Sequence, residues 1–193
     1  MITIATLAIF STSGISQFEI ENLFIGGNIG YAKPIGDFSE YAKGGISYGL
    51  EIGYDLDENL AVGLSYSSTA TLAIDTTQST GLFGINAYGL TNYFVKGWYK
   101  FTEGDYVPYA ALGLGLSQFA EPDISVGGAI VSKGSRNMGL GAEVEVGMKL
   151  KSIRLHYNFV LGGKSADTPL YNPNIANLPI MYHKFMIGWA YEF

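Results

Sequence analysis

Residues 137–150 read NMGLGAEVEVGMKL. Met138, Leu140, Ala142, Val144, Val146, Met148 and Leu150 alternate with Gly139, Gly141, Glu143, Glu145, Gly147 and Lys149. A period of two puts each set on its own face of a β-strand, and a helix with 3.6 residues per turn would scatter both. The pattern recurs. In GISYGLEIGYDL, residues 45–56, Ile46, Tyr48, Leu50, Ile52, Tyr54 and Leu56 alternate with Gly45, Ser47, Gly49, Glu51, Gly53 and Asp55. In IRLHYNFVL, residues 153–161, Ile153, Leu155, Tyr157, Phe159 and Leu161 alternate with Arg154, His156, Asn158 and Val160. The last nine residues, FMIGWAYEF, gather Phe185, Ile187, Trp189, Tyr191 and Phe193 on one face. No window shows a sustained helical apolar period with caps. The chain reads as all-β.

Eight strands are expected, at about 23–32, 45–56, 59–68, 83–101, 106–118, 137–150, 153–162 and 181–193. Their connections alternate. DEN (57–59), TEGD (102–105) and KS (151–152) are short, whereas 33–44, 69–82, 119–136 and 163–180 are long. Short turns therefore share one end and long loops the other. That is the layout of an eight-stranded antiparallel up-and-down transmembrane β-barrel of the outer-membrane type, with periplasmic turns and outer loops. The strands are long enough for the roughly 9–11 residues a tilted crossing needs.

Alternation alone also fits a soluble lipocalin-like barrel with its apolar face inside. Two features favour lipid. The second face is mainly Gly, Ala and Ser, and only 15% of the chain is charged, whereas a soluble exterior would be rich in Lys and Glu. An eight-stranded lumen holds little more than its own side chains, which calls for small residues there. Furthermore, Tyr54, Tyr99, Phe101, Tyr157, Phe159, Trp189, Tyr191 and Phe193 gather toward strand ends on the apolar face. Aromatic girdles at lipid–water boundaries use such residues.

If the apolar face meets lipid, the inward phase carries Glu51, Asp55, Lys96, Lys100, Glu143, Glu145, Lys149, Arg154, His156, Lys184 and Glu192. Counting from the short turns puts Asp55, Lys100, Lys149, Arg154 and Glu192 in a lower layer. Glu51, Lys96 and Glu145 fall near the middle, with Glu143 and Lys184 higher. Lys149 should face Arg154 across the KS hairpin, an unfavourable like-charge pair that Glu192 is placed to offset. Buried charges are costly unless paired, so a lumen ion-pair network is expected. The same residues could instead line a gated path for ions or protons.

Other chemistries find little support. A net charge of −6 and the lack of a basic stretch argue against nucleic acid. Without Cys there is no thiolate metal site, Cys nucleophile or disulfide. LGLGL (112–116) and GGNIG (26–30) lie inside strand patterns with no helix following, so the dinucleotide fingerprint fails and no cofactor is expected. His156 and His183 fall on different faces, His183 near the outer rim where it would meet headgroups, and they do not form a zinc site. LHYNF lacks a Ser beside His156 that would complete a lipid-deacylase pattern, so no enzyme is expected.

The alternating Ile187, Trp189, Tyr191 and Phe193 resemble the C-terminal signature of bacterial outer-membrane barrels. FIGGNIGYAKPIGDF (24–38) and YVPYAALGLGLS (106–117) are similar to the small OmpA-like barrel proteins of Bacteroidota. The resemblance covers about residues 18–193. It implies residence in the bacterial outer membrane, contact with its lipids, and recognition of the last strand by the barrel-assembly machinery. It also implies a structural or surface role: envelope integrity, adhesion or binding through loops. A narrow channel for small or apolar molecules is the alternative, and a lipid-modifying outer-membrane enzyme a more distant one. The chain stops at Phe193, so the peptidoglycan-binding activity of full-length OmpA is not carried over.

Residues 1–16 read as a signal peptide ahead of a barrel domain at 17–193. Ile2–Phe10 is an apolar run too short to span, and Gly14 and Ser16 stand at positions −3 and −1 before Gln17. No Lys or Arg precedes Lys33, so the signal is either weak or begins upstream of Met1. Mass spectrometry of outer-membrane material is expected to find a mature chain starting near Gln17; an intact Met1 would refute cleavage.

Overall fold

The computed structural model describes residues 20–74, 87–126, 129–169 and 172–193. The expected signal peptide and residues 83–86 of the fourth expected strand lie outside these. In chain order the strands are β1 (Leu23–Ile35), β2 (Ala42–Asp55), β3 (Leu60–Ala73), β4 (Ala87–Lys100), β5 (Tyr106–Ala120), β6 (Ile124–Val126), β7 (Ala129–Ser132), β8 (Arg136–Leu150), β9 (Ile153–Lys164) and β10 (Pro179–Glu192). Eight of them close a barrel in the order β1-β10-β9-β8-β5-β4-β3-β2, each antiparallel to its neighbours. β6 and β7 form a separate two-stranded ribbon above it.

Closure comes from β1 against β10, with the register running from Phe24↔Glu192 to Ile35↔Met181. Phe193 N–H donates to Leu23 O at 3.1 Å, tying the last residue to the first strand. A barrel without edges pairs its strand backbone internally, which the hydrocarbon requires.

The short turns have local causes. Asp57 Oδ1 accepts from the backbone N–H groups of Asn59 and Leu60, at 2.8 and 2.7 Å, fixing the β2–β3 turn. Lys151 takes a φ of 55° in the two-residue β8–β9 hairpin, a link in which a positive φ matches the strand twist.

The ladders rise further at the long-loop end than the sequence pattern indicates. Residues 33–35, 42–44, 69–73, 119–120, 136, 163–164 and 179–180 are strand, although polar and small residues there obscure the alternation. The 119–136 loop also holds the β6–β7 ribbon, which was not anticipated.

The apolar phase faces outward. Ile29, Leu50, Leu64, Val95, Leu112, Leu114, Val146 and Ile187 are all exposed. Tyr54, Tyr99, Phe101, Trp189, Tyr191 and Phe193 ring the short-turn end. Tyr157 and Phe159 do not sit at a strand end. They lie within β9, where Tyr157 pairs with Phe185 and Phe159 with His183. The two-faced aromatics of β4 also resolve, since Tyr93 and Tyr99 are exposed outside while Phe94 and Trp98 are buried inside.

Leu50→Arg and Val146→Arg each put a cation on the lipid face. Each is expected to destabilise the barrel by about 2–4 kcal/mol where the site lies near the bilayer midplane. Urea titration in lipid vesicles checks this, and unchanged midpoints would mean that this face does not meet lipid.

Candidate functional site: an ionic belt between two apolar plugs

Inward side chains fill the lumen in three tiers. Nearest the short turns lie Phe24, Trp98, Tyr109, Ala61 and Ala111. Phe24 and Trp98 meet edge to face, centroids 5.4 Å apart. Glycine makes the room: a Cβ on Gly53 would sit 2.3 Å from the Phe24 ring, and one on Gly147 would sit 2.7 Å from Tyr109.

At the long-loop end Tyr88, Leu90, Phe119, Val160, Ile180 and Tyr182 point inward from the strands. Two short 3₁₀ turns fill the mouth above them. The turn Gly36–Glu40 inserts Phe38, whose ring meets Tyr88, Phe119 and Tyr182 with centroids at 5.2, 5.5 and 6.1 Å. The turn Pro173–Ile175 inserts Ile175. Ser165 holds it by donating to Ile175 O and accepting from Leu178 N–H at 2.9 Å.

Between the plugs lies the ionic belt. Lys96 on β4 is buried, and its Nζ donates to Glu51 Oε1 at 3.0 Å, Glu143 Oε1 at 2.7 Å and Glu145 Oε2 at 2.5 Å. The acids come from β2 and β8, on opposite sides of β4, so one ammonium joins several walls. Arg154 on β9 donates to Glu51 Oε2. Asn158 Nδ2 donates to Glu145 Oε2 at 2.9 Å, and His156 Nδ1 stands 3.2 Å from the same oxygen. Trp98 and Tyr109 of the lower plug lie under the cations, 5.5 Å from Lys96 and 5.9 Å from Arg154. Chemically, the arrangement holds charge in place across the lumen.

The ten charged residues singled out in the sequence separate into groups. Glu51, Lys96, Glu143, Glu145 and Arg154 share the belt. Lys100 pairs with Asp55 at 2.7 Å, and Lys149 with Glu192, at the short-turn rim. Lys149 does face Arg154 in register, but Arg154 turns to Glu51, leaving Glu192 to Lys149. Lys184 is buried without a carboxylate within 4.0 Å among the described residues. It donates instead to Ser67 Oγ at 3.3 Å, in a chain continued by Asn92 to Ser67 at 3.1 Å and Ser117 to Asn92 at 2.6 Å. Ile187, Trp189, Tyr191 and Phe193 are each about half exposed on the outside of β10 and its end.

Sequence reasoning missed the plugs. Phe24, Tyr88, Phe94, Trp98, Tyr109, Phe119 and Tyr182 share the inward phase with the charges. Trp98, two residues from Lys96, carried a usable signal, because residues i and i+2 of a strand share a face.

A family model for the outer membrane protein beta-barrel domain matches residues 2–193. The chain belongs to this family. An outer-membrane β-barrel protein resides in the bacterial outer membrane, with its short turns toward the periplasm. Among solved structures, the barrel is similar to Neisserial surface protein A, at 16% identity and a TM-score of 0.59, over 89% of this chain and 97% of that one. It is also similar to the N-terminal β-barrel domain of Pseudomonas aeruginosa OprF, at 16% identity and a TM-score of 0.48, over 88% and 98%. A further match is Ail of Yersinia pestis, solved with the heparin analogue sucrose octasulfate, at 11% identity and a TM-score of 0.45, over 88% and 99%. At these identities the likeness is one of fold. No curated protein sequence matches the chain.

Removing Lys96 from this outer-membrane barrel takes the shared cation from three buried carboxylates, leaving Glu51 to Arg154, Glu145 to Asn158 and His156, and Glu143 without its ion-pair partner. Lys96→Ala is expected to cost about 3–5 kcal/mol, as breaking buried ion pairs does. Lys149→Ala, whose partner Glu192 is half open to solvent, should cost under about 1 kcal/mol. Urea unfolding in vesicles, followed by tryptophan fluorescence, ranks the two, and equal costs would mean that the belt is no tighter than the rim.

Proposed function

We propose that the protein is a non-conducting integral barrel of structural or surface role, which presents its outer loops from a lumen closed by its own side chains. One observation carries the reading: the buried Lys96 ammonium joins β4 to carboxylates on β2 and β8 between two apolar plugs. An ion crossing the lumen would have to displace Phe38 and Ile175 above, break these pairs, and pass Phe24 and Trp98 below. Binding then falls to the outer loops and to the β6–β7 ribbon.

Catalysis has no part in this reading. His156 faces the lumen beside Glu145, and His183 faces outward beside Tyr157. No serine hydrogen-bonds to either among the described residues, and no cluster of His and acids there could hold a metal. The aromatic outer face of β10 supports recognition of this strand by the assembly machinery, which would meet Ile187, Trp189, Tyr191 and Phe193 before β10 closes on β1.

Purified protein in a planar bilayer is expected to show no steady conductance, and Lys96→Ala is expected to introduce leak. Large, steady, ion-selective currents from the unmutated protein would overturn the closed-lumen reading in favour of a narrow channel.

A further inference from the structure

Two neighbouring rows on the outer surface of β1, β10 and β9 differ in chemistry. The row nearer the periplasm aligns Tyr31, Phe185 and Tyr157, because Tyr31 pairs with Phe185 and Phe185 with Tyr157. The next outward-facing row toward the loops aligns Lys33, His183 and Phe159 through the same two ladders. Lys33 is exposed, and no carboxylate among the described residues pairs with it.

The His183 ring is held in place. It stacks on Tyr157 with centroids 5.5 Å apart, rests against Phe159 at 5.7 Å, and shares a hydrogen bond between Nδ1 and the Tyr157 hydroxyl. Where the Tyr157 hydroxyl donates to Nδ1, Nε2 carries the ring proton and can donate it to another acceptor. An aromatic row topped by an ammonium and an oriented imidazole N–H matches a lipid boundary, with rings at headgroup depth and donors at the charged layer. The site faces the outer leaflet, because it lies toward the long-loop end of β1 and β10.

We infer that Lys33 and His183 form a binding site for a phosphate group carried by an outer-leaflet lipid. Lys33 supplies a point charge with three donors, and His183 a directed donor one strand away. Tyr31, Phe185 and Tyr157 pack on the apolar part of the same lipid. The pairing is charge-complementary on a protein whose net charge of −6 otherwise repels anions.

The test uses the folded protein in phosphatidylcholine vesicles containing lipid A, either with its phosphates or with them removed. The readout is the temperature at which half the protein loses its folded gel mobility. Phosphorylated lipid A is expected to raise this temperature, and the dephosphorylated form is not. Lys33→Gln with His183→Gln should abolish the gain, and Lys33→Arg should keep it. Lys133→Gln, an exposed lysine between β7 and β8 and away from β1 and β10, should also keep it. If the double variant fails to fold, Lys33→Gln alone is read the same way, since its exposed side chain supports no core. An equal gain from both lipids, or a full gain in the Gln variants, overturns the site. So does an equal gain from free inorganic phosphate in plain phosphatidylcholine vesicles, which would make the ligand a soluble anion.

Discussion

The pairing of β1 with β10 is the constraint on which the rest of the molecule depends. In hydrocarbon, an unpaired strand edge would leave a row of amides without partners, at several kcal/mol each. Closing eight strands removes the edge and also fixes the bore. The bore is narrow enough that side chains alone can fill it. Every inward position must then suit its neighbours in the lumen, which is why Gly53 lies beside Phe24 and Gly147 beside Tyr109 on adjoining strands. The glycines that look like weak strand formers are the complement of the aromatic rings.

A filled lumen cannot leave charge to water. The belt joins Lys96 and Arg154 to Glu51, Glu143 and Glu145, and Lys184 lies buried just above it, so three basic side chains stand near three acidic ones. Lys96 carries the densest set of contacts, and Lys184 is the outlier, held through Ser67 and the serine–asparagine chain above the belt. The plugs raise the stakes of this balance. With Phe38 and Ile175 above and Phe24 and Trp98 below, stranded charge cannot recruit bulk water cheaply. The rim pairs escape that penalty because Lys100, Asp55, Lys149 and Glu192 remain partly solvated.

Much of this was legible in the sequence because a period of two is hard to counterfeit. The eight barrel strands and the alternation of short and long connections follow from that period, and the scarcity of charge and the aromatic girdle then choose which face meets lipid and which carries the belt. Legibility failed where two faces carry similar residues. β4 has rings on both faces, and only its partners tell Tyr93 from Phe94. The strand ends toward the loops were set too short, since Lys33, Gly44 and Ala70 do not alternate clearly. The loop plug had no period to reveal it: Phe38 and Ile175 enter the mouth through 3₁₀ turns. Pairing inside the belt was legible only as depth. Depth put Glu51, Lys96 and Glu145 together, but it could not foresee that Arg154 would turn up to Glu51 and leave Glu192 to Lys149 alone.

The belt also bears on how the chain selects one register. A slip of one residue reverses the faces of a strand and is prohibited by lipid. A slip of two preserves the faces, so the lipid-facing pattern barely opposes it. Inside the lumen it is far from neutral. Moving β4 by two residues would bring Phe94 or Trp98 to the level where Lys96 now meets Glu51, Glu143 and Glu145. The carboxylates would face a ring, and the ammonium would enter an apolar plug. The outward alternation thus fixes phase and the inward charges fix position along the strand. Buried ion pairs contribute little net stability against apolar packing, and their use here lies in making every other in-phase register worse.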